Sequence, residues 1–271
     1  MDGYDQRSVT EARKLVRRLR AGGEVKAPRS LLPAVLARLG LADTYARVAT
    51  PIGPVFVAYN AAGISAVMRT EDASDFEHRF QQRFGRSVYP APELPTDLAQ
   101  AIREQIAGAH ADLHFDLRGL SEFERAVLLK ALEIPRGEVR PYAWIAREIG
   151  RPKAVRAVGS ALAANPIPLL IPCHRVVRSD GRIGAYVFGS EDKRAVLRAE
   201  GAEPDLIEAL ARAGVRYYAH KASGTFCLLT CGGEHRVPDP NRVAYRSERE
   251  ALAAGYRPCK DCRPAGPLAA R

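Results

Sequence analysis

Five cysteines carry most of the chemistry open to this chain of 271 residues, and their spacing divides them into two groups. Four form close pairs near the C-terminus: Cys227 with Cys231 and, after 27 intervening residues, Cys259 with Cys262. Two pairs of soft thiolates spaced C-x3-C and C-x2-C suit tetrahedral zinc. His220 and His235 are nearby alternative ligands, but four sulfurs suffice and both histidines are expected at the surface. A segment of roughly 50 residues has little core of its own, so the metal is expected to supply much of its folding energy.

The fifth cysteine stands alone in the run Asn165-Pro-Ile-Pro-Leu-Leu-Ile-Pro-Cys173-His174-Arg175-Val-Val. Pro166, Pro168 and Pro172 stiffen the backbone, so Cys173 is expected on a rigid segment. Isolated cysteines are most often inert core residues. Here a histidine, an arginine and a basic neighbourhood adjoin the thiol, and both a base and positive charge favour the nucleophilic thiolate. Neighbours on an extended chain point to opposite sides, so cooperation between Cys173 and His174 needs a turn or a bridging water.

The elements that must position these residues are legible in outline. Ser121 and Glu124 form a capping box ahead of the apolar stripe Phe123, Val127, Leu128, Ala131 and Leu132, which predicts a helix over 121–134 stopped by Pro135. Helical patterns over 142–149 and 153–164, joined by Gly150-Arg151-Pro152, outline a helix-turn-helix. The second of these helices mixes small residues (Ala154, Ala157, Gly159, Ser160, Ala161) with Lys153 and Arg156, a surface that can approach a nucleic-acid groove closely while its cations meet phosphate or replace a base. Upstream, 45–68 reads as a β-hairpin or meander, 71–84 and 95–109 as helices, and 8–20 and 30–40 as two short helices without a chemical motif.

The composition is globular, with 46% apolar and 27% charged residues. No apolar run approaches the ~20 residues that span a bilayer. The charged N-terminus lacks a secretory signal, so a cytoplasmic protein without a membrane partner is the expectation. The net charge is +10; besides the +5 of residues 1–38, the excess lies in the segments that hold the cysteines, +4 over 121–203 and +5 over 215–271, which favours a polyanionic partner.

PCHRV, preceded by NPxPxxI and followed by Gly-x-x-Gly-x-Tyr and Lys-x-x-x-Leu-x-x-Glu-Gly, resembles the O6-alkylguanine-DNA alkyltransferases (methylated-DNA–protein-cysteine methyltransferases) over residues 44–203. The resemblance implies an α+β protein: a ribonuclease-H-like domain over 44–118 after a helical extension over 1–43, then a winged helix-turn-helix domain over 119–203. It implies that the methyl of O6-methylguanine, and of O4-methylthymine, passes irreversibly from a flipped base in double-stranded DNA to Cys173. His174 would be a water-mediated base, Glu200 its orienting carboxylate, and Tyr142 the acid that protonates the departing guanine. Arg156 would fill the vacated base stack, Asn165 would hold the active-site turn, and Tyr186 and Val187 would wall the base pocket. Lys193 falls on a further lysine of the pattern and is placed with the substrate- and DNA-binding residues. A monomer with no organic cofactor is expected.

The chemistry is coherent in its own terms. An aryl ether yields its alkyl carbon to a soft nucleophile, guanine leaves once protonated, and the thioether product has no leaving group for water. The family usually places a small residue and then Gly-Gly after the pocket tyrosine. This chain has Tyr186-Val187-Phe188-Gly189, so Phe188 is expected to narrow the pocket against bulky adducts.

Residues 215–266 form the last expected domain, and 217–264 resemble the metal-binding module of the Ada adaptive-response family, in YYAHKASGTFC and YRSEREALAAGYRPCKDCRP. That resemblance implies zinc and a second methyl acceptor at Cys227 for methylphosphotriesters. The module stands last here, where the family order places it first, and Leu228-Leu229 follow Cys227 where more polar residues are common. A zinc-stapled DNA-docking module without methyl transfer is the other reading. No AraC-type helix-turn-helix is evident, so no transcriptional activator is expected. Two competing functions are a non-catalytic sensor of alkylated bases that recruits other repair proteins, which has no need of the acceptor thiol, and a Cys-His hydrolase, which gives no reason for the four-cysteine cluster.

Overall fold

The computed structural model describes residues 35–264 except 38, 40, 110 and 233–239. The expected helix over 8–20 and His235 lie outside these residues, as does most of the segment 1–43. The architecture is mixed α+β. Strands β1 (Ala42–Val48), β2 (Val55–Asn60) and β3 (Gly63–Met68), the latter two with runs of four consecutive buried residues, form an antiparallel meander. Helix α1 (Ala73–Phe84), capped by Asp72, then returns β4 (Ser87–Pro90) parallel to β1, giving the order β3-β2-β1-β4. Phe76 and Phe80 of α1 pack on Tyr45 and Phe56 of the sheet. Helix α2 (Thr96–Ala107) follows.

Ser121 and Glu124 close the capping box of α3 (Glu122–Leu132), worth about 1 kcal/mol to the helix start. Strand β5 (Arg140–Pro141) leads into α4 (Tyr142–Glu148). Gly150, left-handed at φ 71°, turns the chain, and the Arg151 N–H reaches back to the Ala146 carbonyl at 2.8 Å. Helix α5 (Val155–Ala163) completes the helix-turn-helix outline. A tight turn over Cys173–Arg175 enters β6 (Val176–Val177), which pairs in parallel with β5.

Strands β4, β5 and β6 carry no expectation from the pattern, nor do the next helices, α6 (Ser190–Ala199) and α7 (Pro204–Arg212). Helix α7 lies within 204–214, between the expected domains, and its Pro204 sits in the first turn where a missing N–H is harmless. The C-terminal module is a second sheet, β10-β8-β7-β9, built from β7 (Tyr217–His220), β8 (Thr225–Leu228), β9 (Arg242–Tyr245) and β10 (Arg257–Pro258), with α8 (Glu248–Ala253) packed on it. One apolar core runs from β2 and β3 through α3, α4 and α5 to Cys227, Cys231 and Cys262.

Candidate active site and metal centre

The proline-rich loop is fixed by Asn165. Its Nδ2 donates to the Ile171 carbonyl at 3.0 Å and to Cys173 Sγ at 3.2 Å, while its Oδ1 accepts the Ile167 N–H at 2.9 Å. Leu169 is left-handed at φ 73°, a conformation that costs a residue with a Cβ on the order of 1 kcal/mol. Strand β3 and helix α2 brace the loop against that cost. The Val67 N–H donates to Pro166 O at 2.8 Å, and Gln105 Nε2 donates to Leu170 O at 3.2 Å. After Pro172 the chain tightens into the turn that Cys173 and His174 require, with the Arg175 N–H on the Pro172 carbonyl at 3.0 Å.

His174 is fully buried, and its Nε2 lies 2.8 Å from Glu200 Oε1 at the end of α6. Arg175 grips the same carboxylate with Nε on Oε2 at 3.0 Å and Nη2 on Oε1 at 2.8 Å. Burial pushes the Glu200 carboxyl up, but the hydrogen bonds from His174 and Arg175 outweigh it and hold it at about 2. With Glu200 ionised, His174 Nε2–H is the donor. Burial lowers the imidazole more than Glu200 raises it, so the ring is neutral. Its Nδ1 is buried with no hydrogen-bond partner among the described residues, which leaves an acceptor lone pair in the interior. The motif alone shows Arg175 only as positive charge beside His174; the structure makes it a second partner of Glu200.

The expectation of a charge-activated thiolate is corrected. Cys173 is 7% exposed, and burial pushes its thiol up, against the lowering effects of Asn165 and Lys193. The cations around it are committed elsewhere: Arg175 to Glu200, and Lys193 Nζ to the carbonyls of Val176 at 2.6 Å and Ala185 at 3.3 Å. Lys193 is itself fully buried, and desolvation lowers it to about 8. It is therefore not a DNA-facing residue in this structure; it ties α6 to the strand and loop on either side of the site.

Tyr142, first residue of α4, is half-buried, and burial and then the Cys173 sulfur raise its phenol, which keeps the hydroxyl proton in place as a donor. Tyr186 stands edge-on to His174 at 6.0 Å between centroids, and its buried hydroxyl has no partner among the described residues. Two buried polar atoms without partners, His174 Nδ1 and Tyr186 Oη, thus belong to rings in contact beside the thiol. Phe188 packs edge-on against Tyr186 at 5.5 Å. It is held from the N-terminal domain by Arg69, whose guanidinium lies 5.4 Å from the Phe188 ring, donates to the Phe188 carbonyl at 3.2 Å and pairs with Asp192. Val187 is 48% exposed and Arg156 is exposed on α5. Ala157, Ser160, Ala163 and Ala164 continue the exposed face from Arg156, one small-residue stripe at helical spacing.

The cluster of four cysteines is assembled by β8, the turn after it and the β10 knuckle, with all four sulfurs within 4.8 Å of one another. Tetrahedral zinc with bonds of about 2.3 Å needs roughly 3.8 Å between sulfurs, so small shifts close the site, and an all-thiolate donor set suits that ion. Hydrogen bonds from Cys227 and Cys262 push the Cys231 thiol down to about 2, while hydrogen bonding to Cys231 and Cys262 pushes Cys227 far above its ordinary range. Cys227 is 1% exposed; Cys259 is the most open of the four.

A thiol backed by a buried imidazole–carboxylate pair, beside a helix-turn-helix with a bare small-residue face, defines a protein that brings a sulfur nucleophile to a DNA-binding surface. Residues 122–202 match the family model described as 6-O-methylguanine DNA methyltransferase, DNA binding domain, and residues 210–265 match the metal binding domain of Ada. A methylated-DNA–protein-cysteine methyltransferase of Methanosarcina acetivorans is 32% identical over 165 residues, which cover 58% of this chain and 97% of the relative. The bifunctional transcriptional activator/DNA repair enzyme Ada of Escherichia coli is 39% identical over 167 residues, 59% of this chain, and the match spans only 46% of that protein's length. A crystal structure of Mycobacterium tuberculosis OGT in complex with DNA is 33% identical, with a TM-score of 0.49, over 60% of this chain and 98% of that one. The chain belongs to the methylated-DNA–protein-cysteine methyltransferase family.

Proposed function

We propose that the chain is a single-turnover DNA repair protein that moves the methyl group of O6-methylguanine in duplex DNA to Cys173, with O4-methylthymine, which offers the same aryl-ether carbon, as a second substrate. The observation that carries this is the Cys173 site itself, a thiol held by Asn165 beside His174–Glu200 with two unpartnered buried polar atoms at its wall. In this reading 44–118 is the ribonuclease-H-like brace and 119–203 the winged helix-turn-helix. The exposed stripe of α5 enters a groove, and Arg156 replaces the flipped base, offsetting an unstacking cost of a few kcal/mol.

The thiol proton passes through a bridging water to His174 Nδ1 as Sγ attacks the methyl carbon. The carbon–O6 bond breaks with its electrons on the base, and Tyr142 protonates the leaving guanine. A neutral imidazole and a proton-bearing phenol are the states this transfer needs, and burial favours both. The thiolate forms only when a substrate is seated, which spares the buried sulfur from adventitious electrophiles.

The four cysteines would hold zinc, which supplies a structural cross-link for 215–266. The burial of Cys227 supports the structural role over methyl acceptance from phosphotriesters. Intact mass with peptide mapping after mixing with an O6-methylguanine duplex tests the main reading: one added methyl on the Cys173 peptide is expected. An unmodified chain that still binds that duplex tightly would establish the alternative, a non-catalytic sensor. A methylphosphotriester duplex in the same assay decides Cys227.

A further inference from the structure

The C-terminal module is clasped to the segment that carries Tyr142. Trp144, buried in α4 two residues past Tyr142, donates its indole N–H to the carbonyl of Cys262 at 2.9 Å. Arg140 and Arg263 flank the same indole, with guanidinium carbons 5.8 and 5.5 Å from the ring centroid. Arg263 also pairs with Glu148 at 2.9 Å and Glu133 at 3.4 Å, at the ends of α4 and α3. Arg147 donates to the Pro264 carbonyl at 2.6 Å. On the other side of Tyr142, the Thr230 hydroxyl accepts the Val139 N–H at 2.8 Å and donates to the Val139 carbonyl at 3.2 Å. A Cβ on Gly232 would lie 2.9 Å from Glu138 Oε1, so the module packs directly against that carboxylate. Thr230 and Gly232 flank Cys231, and Arg263 follows Cys262. Both flanks of Tyr142 are thus held by residues directly joined to prospective metal ligands.

We propose that metal occupancy of the four-cysteine cluster sets the position of Tyr142, through Trp144 and Thr230, so that the module is a working part of the Cys173 site. This rests on the functional reading above. Trp144 is a positioning residue: it touches neither the base nor the sulfur, and acts through the helix that presents the phenol. A displacement of about 1 Å at a catalytic group costs on the order of a hundredfold in rate, which bounds the effect of releasing the clasp.

The test uses the full chain, zinc-loaded and zinc-stripped under reducing conditions, with metal content measured directly. Trp144 is the single tryptophan, so its emission reports the clasp without reference to activity. Stripping should shift that emission to the red and slow single-turnover methyl transfer by roughly tenfold to a hundredfold, both reversed by added zinc. Trp144→Phe, which keeps the packing but loses the N–H, should lower the limiting rate at saturating duplex and leave the half-saturating duplex concentration unchanged. In Tyr142→Phe, stripping should slow transfer no further, because the group it displaces is already gone. Unchanged emission after metal loss overturns the proposal, as does an unchanged transfer rate. So does a full additional slowing of Tyr142→Phe on stripping. A loaded chain that transfers nothing overturns the functional reading and this proposal with it, and is recognised because the emission still responds to zinc.

Discussion

The two sulfur centres of this chain solve opposite problems. At Cys173 one thiol is surrounded by protein partners that are already satisfied: Asn165 on the sulfur, His174 and Arg175 on Glu200, Lys193 on two carbonyls. At the C-terminal cluster four thiols face one another, and the hydrogen bonds they share pin protons on sulfurs that an ion would strip. The first centre is organised by hydrogen bonds already made; the second gathers four soft donors at a spacing that suits a metal ion. Burial has opposite uses as well. It raises the Cys173 thiol above its ordinary range, whereas around the cluster it ties the four sulfurs into the core.

The largest expected effect separates them by single substitutions. Cys173→Ser should abolish methyl transfer in the intact-mass assay while zinc content and duplex binding stay as in the parent chain. Cys262→Ser should lose the metal and, with it, hydrogen-exchange protection across β7–β10, since structural zinc contributes on the order of 10 kcal/mol to modules of this kind. A Cys262→Ser chain that keeps full protection would erase the contrast, by showing that the module folds on its own packing.

Next in size is Glu200→Gln, expected to slow transfer on the order of a hundredfold, the range for a misplaced general base. His174 already titrates below its ordinary 6.5, so transfer in the parent should persist below that pH and fail only where the ring takes a proton. Removing Glu200 removes an influence that raises the imidazole, so the acid limb of the pH–rate profile should move lower as the plateau drops. The carboxyl is depressed in the folded chain, from 4.5 to about 2, so its stabilisation is complete above about 4.5 and is lost as pH falls toward 2. An acid limb that moves upward in Glu200→Gln would contradict the assignment of Glu200 as the partner of His174. Smaller still is Arg156→Ala, whose repair of duplex substrate should fall by more than its affinity for undamaged duplex; equal losses in the two assays would count against the stack-filling role.

The contrast also decides how much of each centre the sequence discloses. Two cysteine pairs at metal-ligand spacing are a local signal, and the sulfurs do converge. The same holds for helices announced by nearby residues, such as α3 with its capping box and the Gly150 turn between α4 and α5. Cys173 is legible as a motif, but its protonation is not. The motif places cations beside the thiol without showing that Glu200, 25 residues from Arg175, and the Val176 carbonyl, 17 residues from Lys193, have already claimed those charges. Strand β4 escapes notice because it is short and pairs with a strand far upstream, and α7 because it falls between two recognisable segments. The clasp between Trp144 and Cys262 joins residues 118 apart, and no periodicity encodes such a contact.

The smallest and sharpest test concerns what the cluster lacks, an adjustable wall. Among thiolates, selectivity belongs to the donor atoms; at Cys173 it belongs to the side chains around the alkyl group. Phe188 stands against Tyr186, and Arg69 pins it from the N-terminal sheet through its ring face, its carbonyl and Asp192. Phe188→Gly should therefore raise the rate with an O6-benzylguanine duplex relative to O6-methylguanine by about tenfold, since freeing a partly buried aromatic volume relaxes a steric exclusion worth a few kcal/mol at most. Arg69→Leu should move the same ratio in the same direction by less, because it loosens the ring without removing it, and Arg69→Lys should restore part of the discrimination through the remaining charge. Equal rates for the two adducts in the parent chain would show that Phe188 does not line the path of the alkyl group. A shift in Arg69→Leu that persists undiminished in the Phe188→Gly background would show that Arg69 acts on the site by another route.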